Sequence, residues 1–164
     1  APAEYDVSVP HQGPPPLEPF GLVLHHDGRW SHEGQPILNR RLREHFDRSV
    51  QYLPEPACYV VTLRHFRGEI EVQEAGFFVR AVDLDRARVA LSDGSEDVLE
   101  ASSLRASPID GALLCTVKRN LARNGLAARF LHAAHAELLN AAEEREGIVA
   151  VRLAGAWIEL PAIG

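Results

Sequence analysis

The chain has 164 residues, 46% of them hydrophobic and 24% charged, with a net charge of −6. That length can bury roughly two-thirds of its unfolded surface, enough for one domain or two small lobes sharing a core without covalent staples. The acidic balance lacks the positive field that attracts nucleic acid or an anionic bilayer, and no apolar run nears the ~18 residues of a membrane span, so neither partner is expected.

Residues 1–19 hold six of the eleven prolines, including Pro14-Pro15-Pro16. Such a segment forms neither helix nor central strand, so it is expected to run as an extended arm strapped to the body or to a second copy of the chain. Residues 20–164 are expected to form one compact domain, divisible into lobes at about 20–83 and 84–164. Cys58 and Cys115 form no Cys-x-x-Cys pair and sit in apolar settings, as free thiols of a reducing compartment do, which points to a cytoplasmic protein.

Phe20 to His26 is apolar and β-prone, Asp27-Gly28 supplies a turn, and Arg29 to Glu33 alternates as a return strand. Asn39 caps a predicted helix in which Leu42, Phe46, Val50 and Leu53 recur at helical spacing, stopped by Pro54 and Pro56. Its Asn39-Arg40-Arg41-Leu42-Arg43 run, beside Glu44 and Asp47, reads as a solvated face. A meander follows: Ala57 to Phe66 as a strand, Arg67-Gly68 as a turn, then Glu69 to Gln73 and Gly76 to Val82 as further strands. Arg88 to Ser92 and Asp97 to Ala101 make a hairpin about Asp93-Gly94, and Ala112 to Lys118 is again strand-like.

From Asn124-Gly125 to Glu146 the alanine- and leucine-rich segment reads as one long helix, with Ala128, Leu131, Ala134, His135, Leu138 and Ala142 on one face. Gly147 caps it. Ile148 to Leu153 and Trp157 to Leu160 close the chain as a hairpin about Ala154-Gly155-Ala156. The order of elements gives an α+β protein with largely antiparallel sheets, one short helix and one long one.

Asp27-Gly28-Arg29-Trp30, Gly34, Pro36-Ile37, Tyr59-Val60-Val61-Thr62, Val72-Gln73-Glu74-Ala75-Gly76-Phe77 and Gly125-Leu126-Ala127-Ala128-Arg129 together resemble the bacterial family of domain of unknown function 1285. The resemblance spans most of residues 22–160 and implies two small lobes with β-roll-like sheets, a β-roll-like lobe beside an α/β lobe, together with a cytoplasmic bacterial origin and no assigned activity. Where the family pattern has Val-Glu-Asp-Ala-Pro-Phe this chain has Gln73, Glu74 and Gly76, so a pair of adjacent acids becomes a single one. Leu63 stands where a proline would follow Thr62.

Candidate chemistry is sparse. His25, His26 and His32 flank one turn, but adjacent strand residues point to opposite faces, so at most one of the first pair joins His32 and no metal site is expected. His132 and His135 share a helix face that is otherwise Ala and Leu. There is no Gly-x-Ser-x-Gly elbow and no glycine-rich phosphate loop, so no cofactor is expected. Glu74, beside Ala75-Gly76-Phe77-Phe78, is the one carboxylate set off by an apolar neighbourhood, with Arg64 or Arg80 as its expected hydrogen-bond partner. The reading that follows is a non-enzymatic domain binding a small molecule or protein in a cleft near Arg29, Trp30, His32, Arg64, Glu74 and Arg80. Two alternatives remain: a hydrolase or transferase pairing Glu74 with His32 or His65, and an assembly protein that dimerises through its proline-rich arm.

Overall fold

The computed structural model describes residues 18–64 and 66–161, so His65 and all but the last two residues of the expected arm lie outside the described residues. Those two residues open a strand. The chain order is β1 (Glu18–Leu24), β2 (Trp30–His32), β3 (Gln35–Pro36), α1 (Arg40–Ser49), β4 (Gln51–Leu53), β5 (Cys58–Leu63) and β6 (Phe66–Val72). Then come β7 (Phe77–Asp83), β8 (Arg88–Leu91), β9 (Glu96–Val98), a short 3-10 turn, β10 (Arg105–Ala106), β11 (Leu113–Val117) and β12 (Leu126–Phe130). The chain finishes with α2 (His132–Ala141), β13 (Glu143–Arg145), β14 (Ile148–Leu153) and β15 (Ala156–Glu159). This is the expected α+β arrangement of mostly antiparallel sheets.

The first sheet runs β3-β2-β1-β6-β5-β4, the second β10-β11-β12-β7-β8-β9 and the third β13-β14-β15. The two larger sheets share one topology. Each is a pair of three-stranded antiparallel meanders joined at the centre by a parallel pair, β1 with β6 and β12 with β7. One buried cluster draws on everything: Leu24, Trp30 and Val61 from the first sheet, Phe77, Val79 and Cys115 from the second, Val151 from the third, Phe46 from α1 and Leu138 from α2. Each such side chain contributes about 1.5–3 kcal/mol when removed from water.

Asn39 caps α1 as read from the sequence, its side chain accepting the Leu42 N–H at 3.0 Å. The helix is shorter than its apolar spacing suggested. Val50 takes an extended conformation and the chain passes directly into β4, where Gln51 pairs with Val60. The turn expected at Arg67-Gly68 falls earlier, at Arg64 (φ 55°), leaving Arg67 and Gly68 inside β6 opposite Thr62 and Val61.

The long helix is the larger correction. Both α-helices among the described residues have ten residues, and the segment expected to be one helix is β12, α2 and β13 in turn. In β12, Leu126, Ala128 and Phe130 are buried while Ala127 and Arg129 are less so, a period of two. Alanine and leucine favour helix in isolation, but hydrogen bonding to β11 on one side and β7 on the other decides the matter. Gly147 accordingly sits in the β13–β14 turn instead of capping a helix. No helix among the described residues is long and apolar enough to cross a membrane.

Candidate functional site

The sheet register sorts the six residues picked out by sequence. Leu24, Trp30 and Val72 lie side by side at one end of the first sheet, so the β1–β2 turn and the link from β6 to β7 share that end. Arg64 occupies the β5–β6 turn at the other end, ~20 Å away along the seven residues of β6. His32 is exposed near the far end of β2. Trp30 is 1% exposed, its ring 5.2 Å from Phe46, so it cannot stack on a ligand. Its indole N–H instead donates to Asp47 Oδ1 at 2.8 Å. Arg29 is exposed and its Nε donates to Asp27 Oδ2 at 2.7 Å. The six residues do not converge; Arg80 alone among them lines a pocket described below.

Glu74 belongs to a polar seam between the two large sheets. Ser107 Oγ donates to Glu74 Oε2 at 2.7 Å, and Arg129 Nη1 lies 3.9 Å from Oε1, which is buried without a hydrogen bond. Neither Arg64 nor Arg80 is its partner. Arg129 grips Asp110 with both terminal nitrogens, at 3.0 and 2.8 Å, a bidentate geometry that holds the Asp110 carboxyl down at about 2. On the other side of the seam, Gln73 Oε1 accepts both the main-chain N–H and Nδ1–H of His26, at 2.8 and 2.9 Å. Nε2 of that imidazole is 3.7 Å from Asp110 Oδ2. Gln73 and Glu74 thus fasten the β1–β2 turn on one side and the 107–112 turn on the other. Ser107 is 4% exposed and its hydroxyl is engaged, so it is not presented to a substrate.

The far side of the fastened turn forms a pocket of about 400 Å³, lined by Asp27 and Gly28, by Glu44, Asp47 and Arg48 of α1, by Phe78 and Arg80 of β7, and by Ser92 and Leu131. Positions 44, 47 and 48 share one helix face, and positions 78 and 80 one strand face. Gly28 (φ 91°) closes the turn, and a Cβ there would reach Phe78 at 3.6 Å. The pocket therefore lies between the first sheet with its helix and the second sheet.

Its charges are unevenly engaged. Burial tends to raise the Asp27 carboxyl, but hydrogen bonds from the Arg29 backbone and side chain, with the charge of that guanidinium, outweigh it and hold the group below its usual range. Glu44 Oε1 accepts from Arg40 at 2.9 Å. Burial lifts the half-buried Asp47 above the usual carboxylate range, with the Trp30 indole and Arg43 offsetting only part of the effect. Arg48 and Arg80, by contrast, make no side-chain hydrogen bond or ion pair among the described residues. Among the described residues no three His, Cys, Asp or Glu side chains converge closely enough to hold a metal ion.

Sequence reading missed Asp47 and Arg48 because they continue what looks like a solvated arginine face. The available signal was the Phe46–Asp47 step, where a core aromatic adjoins an acid one residue away. Arg129, Ser107 and Asp110 were out of reach, being 33 or more residues from Glu74, as for Ser107, with no local pattern to join them.

No family model matches the chain, and no curated protein matches it. Among solved structures it is similar to a DUF1285 family protein from Silicibacter pomeroyi, with a TM-score of 0.58 and 18% identity over 90% of this chain and 83% of that one. A DUF1285 family protein from Shewanella baltica aligns with a TM-score of 0.45 and 15% identity over 73% of this chain and 91% of that one. What the first of these likenesses shows is the fold: the chain is DUF1285-like in architecture.

Proposed function

We propose that the protein is a small-ligand-binding domain whose site is the pocket between α1 and β7. The observation that carries the reading is that Arg48 and Arg80 line a pocket of about 400 Å³ without a side-chain partner among the described residues. Guanidinium groups at a concave site present fixed N–H donors, and a pocket of this volume is within the ~300–1,000 Å³ range of small-molecule sites. The Asp27-Gly28 turn that forms one wall of the pocket is held from behind through the hydrogen bonds of His26 to Gln73. The alternative of a carboxylate–histidine enzyme finds less support, because the partners of Glu74 among the described residues are Ser107 and Arg129. A cytoplasmic setting is supported by the free thiols Cys58 and Cys115, the latter buried and pushed up to about 12 by that burial.

Native mass spectrometry of the protein incubated with the small-molecule fraction of a bacterial extract tests the site. The expected result is a retained mass on the wild type that is absent from Leu131→Trp, in which a 41% exposed rim residue is enlarged into the pocket. Identical spectra for the two proteins would remove this pocket as the site.

A further inference from the structure

Another pocket, of about 360 Å³, lies where α2 and the third sheet meet the β10–β11 edge of the second sheet, and no residue lines both it and the pocket between α1 and β7. Ala106 of β10 and Leu113 of β11 contribute to it, with His135 and Leu139 of α2, Ile148 of β14 and Leu160 after β15. Positions 135 and 139 are one turn apart and so share a helix face, beside the Ala134 and Leu138 positions that enter the core. Leu113 and Leu160 are buried, whereas Leu139 and Ile148 stay 39% and 48% exposed. Large apolar side chains left open to solvent around one concavity are a feature of ligand-binding grooves.

Two titratable side chains interrupt this apolar lining, His135 and Glu159. Among the described residues the imidazoles of His25, His26 and His45 each have a hydrogen-bonding partner, whereas that of half-buried His135 has none. Burial, with the neighbouring His132, lowers the pKa of His135, so above pH 7 its ring is neutral and offers one N–H donor and one lone pair. No lysine or arginine lines the pocket. An anionic ligand would therefore leave water to meet the Glu159 carboxylate with no cation to balance it, which is costly on an apolar surface. A cationic ligand gains little either, because Glu159 is exposed and a solvent-screened ion pair contributes weakly.

We infer that this pocket is a second ligand site, taking an uncharged and mostly apolar small molecule whose body lies against Leu113, Leu139, Ile148 and Leu160 and whose one polar group hydrogen-bonds the His135 imidazole. Its volume is within the ~300–1,000 Å³ range of small-molecule sites, and an apolar wall with few placed polar groups is their usual composition. A neutral imidazole both donates and accepts, so a hydroxyl or a carbonyl satisfies it, while the apolar body supplies the affinity. The site stands whether or not the pocket between α1 and β7 is occupied.

The test is calorimetric titration of the protein at pH 7.5 with 1-hexanol, 1-octanol, octanoate and octylammonium. 1-Octanol should bind saturably, roughly tenfold more tightly than 1-hexanol because each buried methylene is worth about fourfold, and at least tenfold more tightly than octanoate. Leu139→Trp and Ile148→Trp each enlarge an exposed wall residue into the pocket, one from the helix and one from the third sheet, and each should lower that affinity at least tenfold in a protein that still melts cooperatively. In NMR spectra the imidazole C–H signal of His135, assigned by its absence from His135→Phe, should move with 1-octanol while that of exposed His32 stays in place. Binding of octanoate as tight as that of 1-octanol, or tighter binding of octylammonium, overturns the uncharged class. Undiminished affinity in both tryptophan variants, or a His135 signal unmoved at saturation, overturns the site, and absence of saturable heat with all four probes overturns the inference as a whole.

Discussion

Gly76 gives the sharpest test of how the two sheets are joined. It lies in the short link between β6 and β7 that also carries Gln73 and Glu74 into the seam, and it is buried. Its backbone is not in the left-handed region, so alanine suits the conformation and any cost must come from packing. A Cβ built there would sit 2.8 Å from Tyr59 Cδ1 and 3.0 Å from Cζ, with Cε1 closer still. The Tyr59 ring cannot simply swing away, because Tyr52 and Phe77 flank it at 5.1 and 6.1 Å between centroids. Overpacking of this kind costs ~1–3 kcal/mol. In a chain of this length each kcal/mol lowers Tm by roughly 2–4 °C, so Gly76→Ala should melt roughly 2–12 °C below wild type. Urea denaturation of four proteins, wild type, Gly76→Ala, Tyr59→Leu and the double variant, isolates the contact. Removing the ring should cancel most of the alanine cost, a coupling of at least ~0.5 kcal/mol in the rescuing sense. A Gly76→Ala protein within about 0.5 kcal/mol of wild type, or one equally costly with and without the Tyr59 ring, would refute the reasoning.

The other expectations concern the seam, the core and the thiols. The Arg129 hydrogen bonds, with that of the Ala112 N–H, hold the Asp110 carboxyl at about 2 against an unfolded value near 3.8, so its contribution is full above that value and is lost as pH falls toward 2. Asp110→Asn should therefore flatten the acid limb of a Tm-against-pH curve while changing little of its shape above pH 5. Trp30→Phe removes the only hydrogen bond made by the indole and leaves half-buried Asp47 short of a donor, a loss of ~1.5–3 kcal/mol by urea denaturation. Cys115 is fully buried and its thiol is pushed up to about 12, whereas Cys58 is partly exposed, so iodoacetamide on the native protein should label Cys58 and spare Cys115 until urea is added. Labelling of Cys115 without denaturant would mean that β11 opens in the native state.

Local chemistry was the legible part of this protein. The β1–β2 hairpin, the Asn39 cap, the β8–β9 hairpin about Asp93-Gly94 and the last hairpin about Ala154-Gly155 all follow from turn residues and alternation within a few positions. Element type failed where isolated propensity and pairing disagree. Leu126 to Phe130 is helix-prone by composition, yet it is the central strand that receives β7 and β11. The site was less legible than the fold. Arg80 is legible in the sequence and lines the pocket, Glu74 is legible but belongs to the seam, Asp47 reads as part of a solvated face, and nothing in the sequence singles out Arg48.

The sequence by itself determined which residues want burial, where the chain turns and which class of fold results, because those properties depend on side-chain chemistry and on neighbours a few positions away. Only the tertiary structure decided which charges remain free. Asp110 and Arg129 neutralise each other across 19 positions, His26 and Gln73 meet across 47, and Asp47 turns inward to Trp30 across 17. Among the cations without an ion pair in the described residues, Arg48 and Arg80 are brought to the lining of one pocket by a helix and a strand. An unpaired charge is a property of the whole set of contacts, and that set exists only once the two sheets have closed on one another.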